Sequence, residues 1–106
     1  MNRAPDHIVL SRTDSIGDVM LTLPMAGLLK RAFPGVRITF LGRTYTRPVL
    51  QQCVHVDHII TLEELEAGDA PTLLRALKAD ALVHVFPRRE VARWAQTAAI
   101  PMRIGT

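Results

Sequence analysis

Apolar and polar positions follow one another along this chain in short blocks whose period keeps switching between strand and helix. Ile8, Val9 and Leu10 form an unbroken apolar run within His7 to Arg12, the pattern of a short strand buried on both faces. A polar turn with cap-forming residues follows, Thr13-Asp14-Ser15-Ile16-Gly17-Asp18. From Asp18 to Phe33 the spacing becomes helical, with Val19, Met20, Leu23, Leu28, Leu29 and Ala32 supplying apolar surface. Pro24 lacks an N–H and clashes with the preceding turn, so a kink or a split near Thr22 is expected. Phe33-Pro34-Gly35 stops the helix.

The cycle then repeats. Val36 to Leu41 reads as a second strand turned by Gly42, and Tyr45 to Cys53 as a helix with Pro48 in its first turn. Val56 to Thr61 is a third strand, Leu62 to Glu66 one helical turn, and Ala70 to Lys78 a helix begun by Asp69 and Pro71. Ala81 to Phe86 is a fourth strand, Arg89 to Ala98 a further helix, and Met102 to Ile104 a fifth strand. Strands alternating with helical segments predict an α/β fold, a Rossmann-like doubly wound parallel sheet with helices on both faces. There is no internal repeat. The last strand has no closing helix after it, which points to part of a longer protein.

Composition changes this picture little. At 106 residues with 48% hydrophobic residues, the chain suits one folded domain rather than a disordered segment. A formal charge of +3 points mildly to anionic partners. Aromatic residues interleaved with the basic ones, which a nucleic-acid binder usually carries, are lacking, so nucleic acid is not expected. Cys53 is the single cysteine, so no internal disulfide forms and a reducing compartment is the default. The first apolar run, Ile8 to Leu10, is too short for a signal-peptide core, and no segment approaches a membrane span. A cytoplasmic location is expected, with contact at a membrane surface left open to the basic residues.

In open parallel sheets ligands bind beyond the carboxyl ends of the strands. That rule selects Arg12, Thr13, Asp14, Ser15, Gly17 and Asp18 after the first strand, Gly42, Arg43 and Thr44 after the second, and Pro87, Arg88 and Arg89 after the fourth. Four arginines frame a mouth with two carboxylates at its centre, which suits a phosphate- or carboxylate-bearing ligand. Arginines also favour loop surfaces for no functional reason. Gly17 lets a ligand approach the backbone or allows a positive φ. Asp18, in a first helical turn, is expected to be ionised and able to accept a proton from a hydroxyl. Asp14, Ser15 and Asp18 read equally as helix caps.

The turn has one glycine where a dinucleotide fingerprint needs three, and no phosphate-loop ending. Cys53, His55, Asp57 and His58 have neither one-sided placement nor metal-site spacing, so no metal centre is expected. His84, among Val83, Val85 and Phe86, reads as a hydrogen-bonded core histidine.

The segment Ser11 to Pro24 resembles the opening of the heptosyltransferases, the family 9 glycosyltransferases. The matching residues are the Ser-x-Gly-Asp turn at Ser15 to Asp18 and Thr-Leu-Pro at Thr22 to Pro24. Phe33-Pro34-Gly35 with Val36 to Leu41, then Val56 to Ile60, and Ile100 to Gly105 are similar to later strands of that family. The resemblance implies the incomplete N-terminal, acceptor-binding half of a GT-B type glycosyltransferase, the donor-binding half being absent. It implies transfer of heptose from ADP-heptose to the Kdo/heptose inner core of lipopolysaccharide, inverting and without a metal or other cofactor. Asp18 falls on the family's general base. The acceptor it implies is an anionic lipid of the lipid A/Kdo type, which fits Ser15 and Gly17 and the mouth at Arg12, Arg43, Arg88 and Arg89. The parent enzyme is then expected in the cytoplasm, with peripheral contact at the inner membrane, and the fragment alone is expected to be inactive.

Two other classes compete. One is a non-catalytic α/β module that holds an anionic ligand, in which Asp18 only caps. The other, a phospho-receiver domain, needs an acid ending the third strand, where this chain has Ile60-Thr61-Leu62. It is rejected on that ground.

Overall fold

The computed structural model describes residues 4–85 and 88–105. Five parallel strands form one sheet in the order β3-β2-β1-β4-β5. They are β1 (His7–Ser11), β2 (Arg37–Gly42), β3 (His58–Thr61), β4 (Ala81–His84) and β5 (Met102–Gly105). The helices are α1 (Ile16–Ala32), α2 (Arg47–Leu50), α3 (Leu62–Ala67), α4 (Ala70–Ala76) and α5 (Arg89–Thr97). A 3-10 turn, Thr44–Thr46, precedes α2.

Alternation along each strand divides the core in two. Ile8, Leu10, Ile38 and Phe40 pack with Val19 and Ala26 of α1 and Leu50 of α2. Val9, Leu41, Ile60 and Leu82 point the other way, against Leu62 and Leu65 of α3, Leu74 of α4, and Val91 and Ala95 of α5. Both faces of the sheet are therefore covered, which is why β1 reads as a continuous apolar run rather than an alternating one. The expected Rossmann-like, doubly wound sheet is what the chain forms.

Several element limits differ from the sequence reading. Pro24 lies inside an unbroken α1 and does not split it. Packing of Val19, Thr22 and Ala26 onto the sheet outweighs the one lost backbone hydrogen bond. The Tyr45-to-Cys53 helix is instead a 3-10 turn followed by a single α turn. The third strand begins at His58 rather than Val56, because Asp57 turns its side chain to the sheet: Ile38 N–H donates to Oδ2 at 2.8 Å, as does Lys30 Nζ at 2.6 Å. The fourth strand ends at His84, while Phe86 and Pro87 lie outside the described residues.

The two edges of the sheet differ in chemistry. At the amino edge, Asp80 Oδ2 accepts from the backbone N–H groups of Asp6 and His7 at 2.7 and 3.0 Å. With Asp57 this uses carboxylates to satisfy strand ends. His7 belongs to the same edge: its Nδ1 lies 2.8 Å from the Leu77 carbonyl and its Nε2 2.6 Å from Thr39 Oγ1. A carbonyl can only accept, so Nδ1 carries the proton and Nε2 accepts from Thr39.

Burial pushes the pKa of His7 below its ordinary 6.5, the hydrogen bond to Leu77 offsetting only part of this; burial alone does the same to His84. Both are held neutral in the folded chain, while the unfolded chain takes up protons at them below about pH 6.5. Stability is thus level above that pH and falls as the pH drops from about 6.5 toward the folded values. The melting midpoint is expected to fall between pH 7.5 and 5, and His84→Gln is expected to flatten the slope. A midpoint constant over that interval contradicts this. Asp18, Asp57 and Glu63 have depressed pKa values, so their contributions fade only below about pH 4.

Candidate functional site

Chain connections leave β1 and β4 in opposite directions along the sheet, so the crevice of this fold opens at the carboxyl ends of those two strands. Ser11 and His84 are register partners there. Backbone bonds fix both loop roots, Val85 N–H to the Ser11 carbonyl at 3.0 Å and Arg12 N–H to the Leu41 carbonyl at 3.1 Å.

Ser15 is the N-cap of α1 and its Oγ accepts from the Asp18 N–H, a long bond at 3.4 Å. The same hydroxyl donates to Asp18 Oδ2 at 2.7 Å. The cap role therefore belongs to Ser15, and Asp18 sits three residues later in the first turn, where the helix dipole favours its charge. Arg12 grips Asp14 with two nitrogens, Nε to Oδ1 at 2.9 Å and Nη2 to Oδ2 at 3.1 Å, and Nη2 also lies 3.4 Å from Asp18 Oδ1. The Ser15 hydrogen bond, with the charge of Arg12 adding to it, holds the Asp18 carboxyl below the ordinary carboxylate range. Asp18 is thus an ionised, partly exposed carboxylate oriented by Ser15.

Gly17 adopts no positive φ, which among the described glycines only Gly35 does, at +88°. A Cβ built on Gly17 meets nothing within 4 Å. Of the two roles the sequence offers Gly17, a positive φ is therefore not taken, since a helical residue needs none. What remains is the other role, a backbone open to approach, because a side chain at this position would point into open space.

Arg88 donates from Nε to Thr13 Oγ1 at 2.9 Å, joining the loops after β1 and β4 across the crevice. Thr13 is fully buried, so this bond is built into the floor of the site. Arg89 opens α5 and is exposed. Arg43 is engaged on the other side, its Nε donating to Glu63 Oε2 at 2.9 Å while Glu63 Oε1 accepts from the Thr44 N–H at 3.0 Å. Partial burial raises the Glu63 pKa, but the hydrogen bonds from Arg43 and the backbone outweigh it and keep the carboxylate ionised. Arg47 is paired with Glu64 beside it.

Of the residues selected from sequence, Arg12, Ser15, Gly17 and Asp18 come together on one turn, with Arg88 tied to its base. Arg43 reaches that turn through Tyr45, whose hydroxyl donates to the Asp14 carbonyl at 2.7 Å. Tyr45 and Glu63 were not singled out as site residues; their positions just after β2 and β3 are the signal that locates them.

His84 is buried, but its Nδ1 finds no hydrogen-bond partner among the described residues, nor does the buried Ser11 Oγ. The expected core placement of His84 holds, with no hydrogen bond at Nδ1 among the described residues. The ring has room because its register partner on β5 is Gly105, where a Cβ would stand 2.8 Å from that of His84.

No protein-family model matches the chain. A Haemophilus influenzae protein assigned as a glycosyltransferase is 27% identical over 103 residues, covering 93% of this chain and 30% of that protein. The ADP-heptose LPS heptosyltransferase II of E. coli superposes with a TM-score of 0.80 at 23% identity, over 94% of this chain and 30% of its own. A family 9 glycosyl transferase of Veillonella parvula gives 0.75 at 19% identity, and E. coli heptosyltransferase WaaC, solved with ADP, 0.75 at 18%. Both are matched over 94% of this chain, and over 32% and 34% of their own lengths respectively. The chain therefore spans about a third of the length of the proteins it matches. It has the α/β Rossmann-like fold of the N-terminal part of the heptosyltransferases.

Proposed function

We propose that this chain is part of the N-terminal, acceptor-binding half of a glycosyltransferase that moves heptose from ADP-heptose to the Kdo/heptose inner core of lipopolysaccharide. The observation that carries the reading is the oriented, ionised Asp18 next to the open backbone of Gly17, at the switch point of a heptosyltransferase-like fold. In this reading the acceptor hydroxyl gives its proton to the Asp18 carboxylate. Its oxygen then forms a bond to the anomeric carbon while the bond to the ADP oxygen breaks, and ADP leaves with the electron pair. Attack opposite the leaving group inverts the anomeric centre.

A carboxylate with a depressed pKa is a weak base toward a resting hydroxyl. It becomes an adequate one as the hydroxyl acidifies along the bond-forming coordinate. The reaction as proposed uses no metal and no cofactor beyond the donor. The donor is held by the second half of the enzyme, and much of the rate depends on positioning it, so this chain alone is proposed to be inactive. Arg12, Arg88 and Arg89 meet the anionic groups of a lipid A/Kdo-type acceptor, and Arg43 the outer side of the same mouth. Nucleic acid has no part in this reading. A cytoplasmic enzyme with peripheral contact at the inner membrane accords with such an acceptor. Among the described residues no helix is long and apolar enough to cross a membrane.

The test is acceptor-dependent release of ADP from ADP-heptose by the complete gene product. Release that requires the Kdo-bearing lipid supports the reading. Tight acceptor binding with no ADP release, with any ADP-sugar supplied, favours the non-catalytic module instead.

Gly17→Ala separates acceptor binding from folding. The substitution has room and a compatible backbone, so stability is expected to hold or rise by about 0.4–1 kcal/mol. The methyl group occupies the space assigned to the acceptor, so the acceptor KM is expected to rise while the melting midpoint does not fall. An unchanged KM contradicts the placement of the acceptor at Gly17.

A further inference from the structure

The turn that carries Asp18 is held from outside as well as from within. Tyr45 is half-exposed, so burial does not fix its ring. Its hydroxyl nevertheless donates to the Asp14 carbonyl at 2.7 Å, across 31 residues of sequence. Two contacts support the ring: the Arg43 guanidinium lies 5.8 Å from its centroid, and Arg43 is itself anchored on Glu63 at 2.9 Å. The other oxygen of Glu63 accepts from the N–H of Thr44, the residue before Tyr45, at 3.0 Å. One carboxylate at the start of α3 thus fixes the residues on both sides of the 3-10 turn's first peptide.

From Asp14 two routes lead to Asp18. The Asp14 carboxylate orients Arg12, whose Nη2 lies 3.4 Å from Asp18 Oδ1. The Asp14 carbonyl belongs to the peptide that sets Ser15, whose hydroxyl donates to Asp18 Oδ2 at 2.7 Å. Holding that carbonyl therefore constrains both partners of the Asp18 carboxylate at once.

We propose that Tyr45 is a positioning residue that holds the Asp14 carbonyl and so orients the Asp18 carboxylate toward the acceptor hydroxyl, with Arg43 and Glu63 as its supports. Arg43 then has a task in the geometry of the base besides any contact with acceptor. The inference rests on Asp18 being the base, and the test keeps the two apart.

In the complete gene product, Tyr45→Phe keeps the ring and its contact with Arg43 and removes only the hydroxyl. Its kcat is expected to fall about three- to tenfold, the range of one hydrogen bond, with KM within about twofold and the melting midpoint unchanged. In an Asp18→Asn background the same substitution is expected to change the residual rate by less than about twofold, because the group it positions has gone. An equal loss in both backgrounds, or an unchanged kcat in the first, overturns the role of Tyr45 while leaving Asp18 as the base. If Asp18→Asn itself retains the full rate, the base assignment falls and this inference falls with it.

Discussion

Asp18→Asn is expected to lower the transfer rate of the complete gene product by about 10²–10⁴-fold, the usual contribution of a positioned general base. The amide keeps the size of the carboxylate and can still meet Ser15, so the turn should stay folded. It cannot take the acceptor proton. Substrate affinity should change little, since acceptor binding is assigned chiefly to the arginines and the space at Gly17. Loss in kcat with KM nearly intact is therefore the signature of a group that acts in the transition state. The alternative reading of Asp18 as a cap predicts the reverse. Ser15 already occupies the cap position, so replacing Asp18 would then cost only the dipole interaction, on the order of 0.3–1 kcal/mol of stability, and leave the rate alone. Steady-state kinetics beside a melting curve separates these outcomes.

Phe40→Ala carries the largest expected effect on the fold. Phe40 is fully buried in β2, near the middle of the sheet, and packs in the cluster that joins β1 and β2 to α1 and α2. Truncating a buried phenylalanine costs about 3–5 kcal/mol, through lost transfer energy and the cavity left behind. That is a large share of the 5–15 kcal/mol typical of a whole domain. The 3-10 turn that carries Tyr45 follows β2 directly, so its grip on Asp14 should loosen as the strand does. Leu21→Ala, at a position 80% exposed on α1, serves as the contrast and should stay within about 0.5 kcal/mol of the parent. Chemical denaturation of both variants checks the pair. Equal stabilities would mean that the core division described for the two sheet faces is wrong.

Much of the architecture was legible in the residues because period and turn chemistry are local properties. The apolar run at Ile8 to Leu10, the stop at Phe33-Pro34-Gly35 and the start at Asp69 and Pro71 each announce an element without knowledge of its neighbours, whereas which of Asp14, Ser15 and Asp18 caps α1 is decided only in the fold. The strand-end rule locates Asp18 and the arginines at one end of the sheet from element order alone. What the sequence could not display is which partner each charge would find. Arg88 with Thr13 spans 75 residues, and Tyr45 with Asp14 spans 31; neither leaves a trace in spacing. Pro24 misled in the same way: its local penalty is real, but the packing of α1 on the sheet decides the outcome. Asp57 shortened a strand because a side chain took a hydrogen bond that the pattern assigned to backbone.

The central claim is that the turn from Arg12 to Asp18 receives the acceptor, and an amide NMR titration of this chain with a soluble, Kdo-bearing acceptor fragment tests it most directly. The predicted result is saturable shifts at Ser15, Gly17, Asp18, Arg88 and Arg89, with none at His7 and Asp57 on the opposite edge of the sheet. Shifts centred on the amino edge, or none at all at millimolar acceptor, would contradict it.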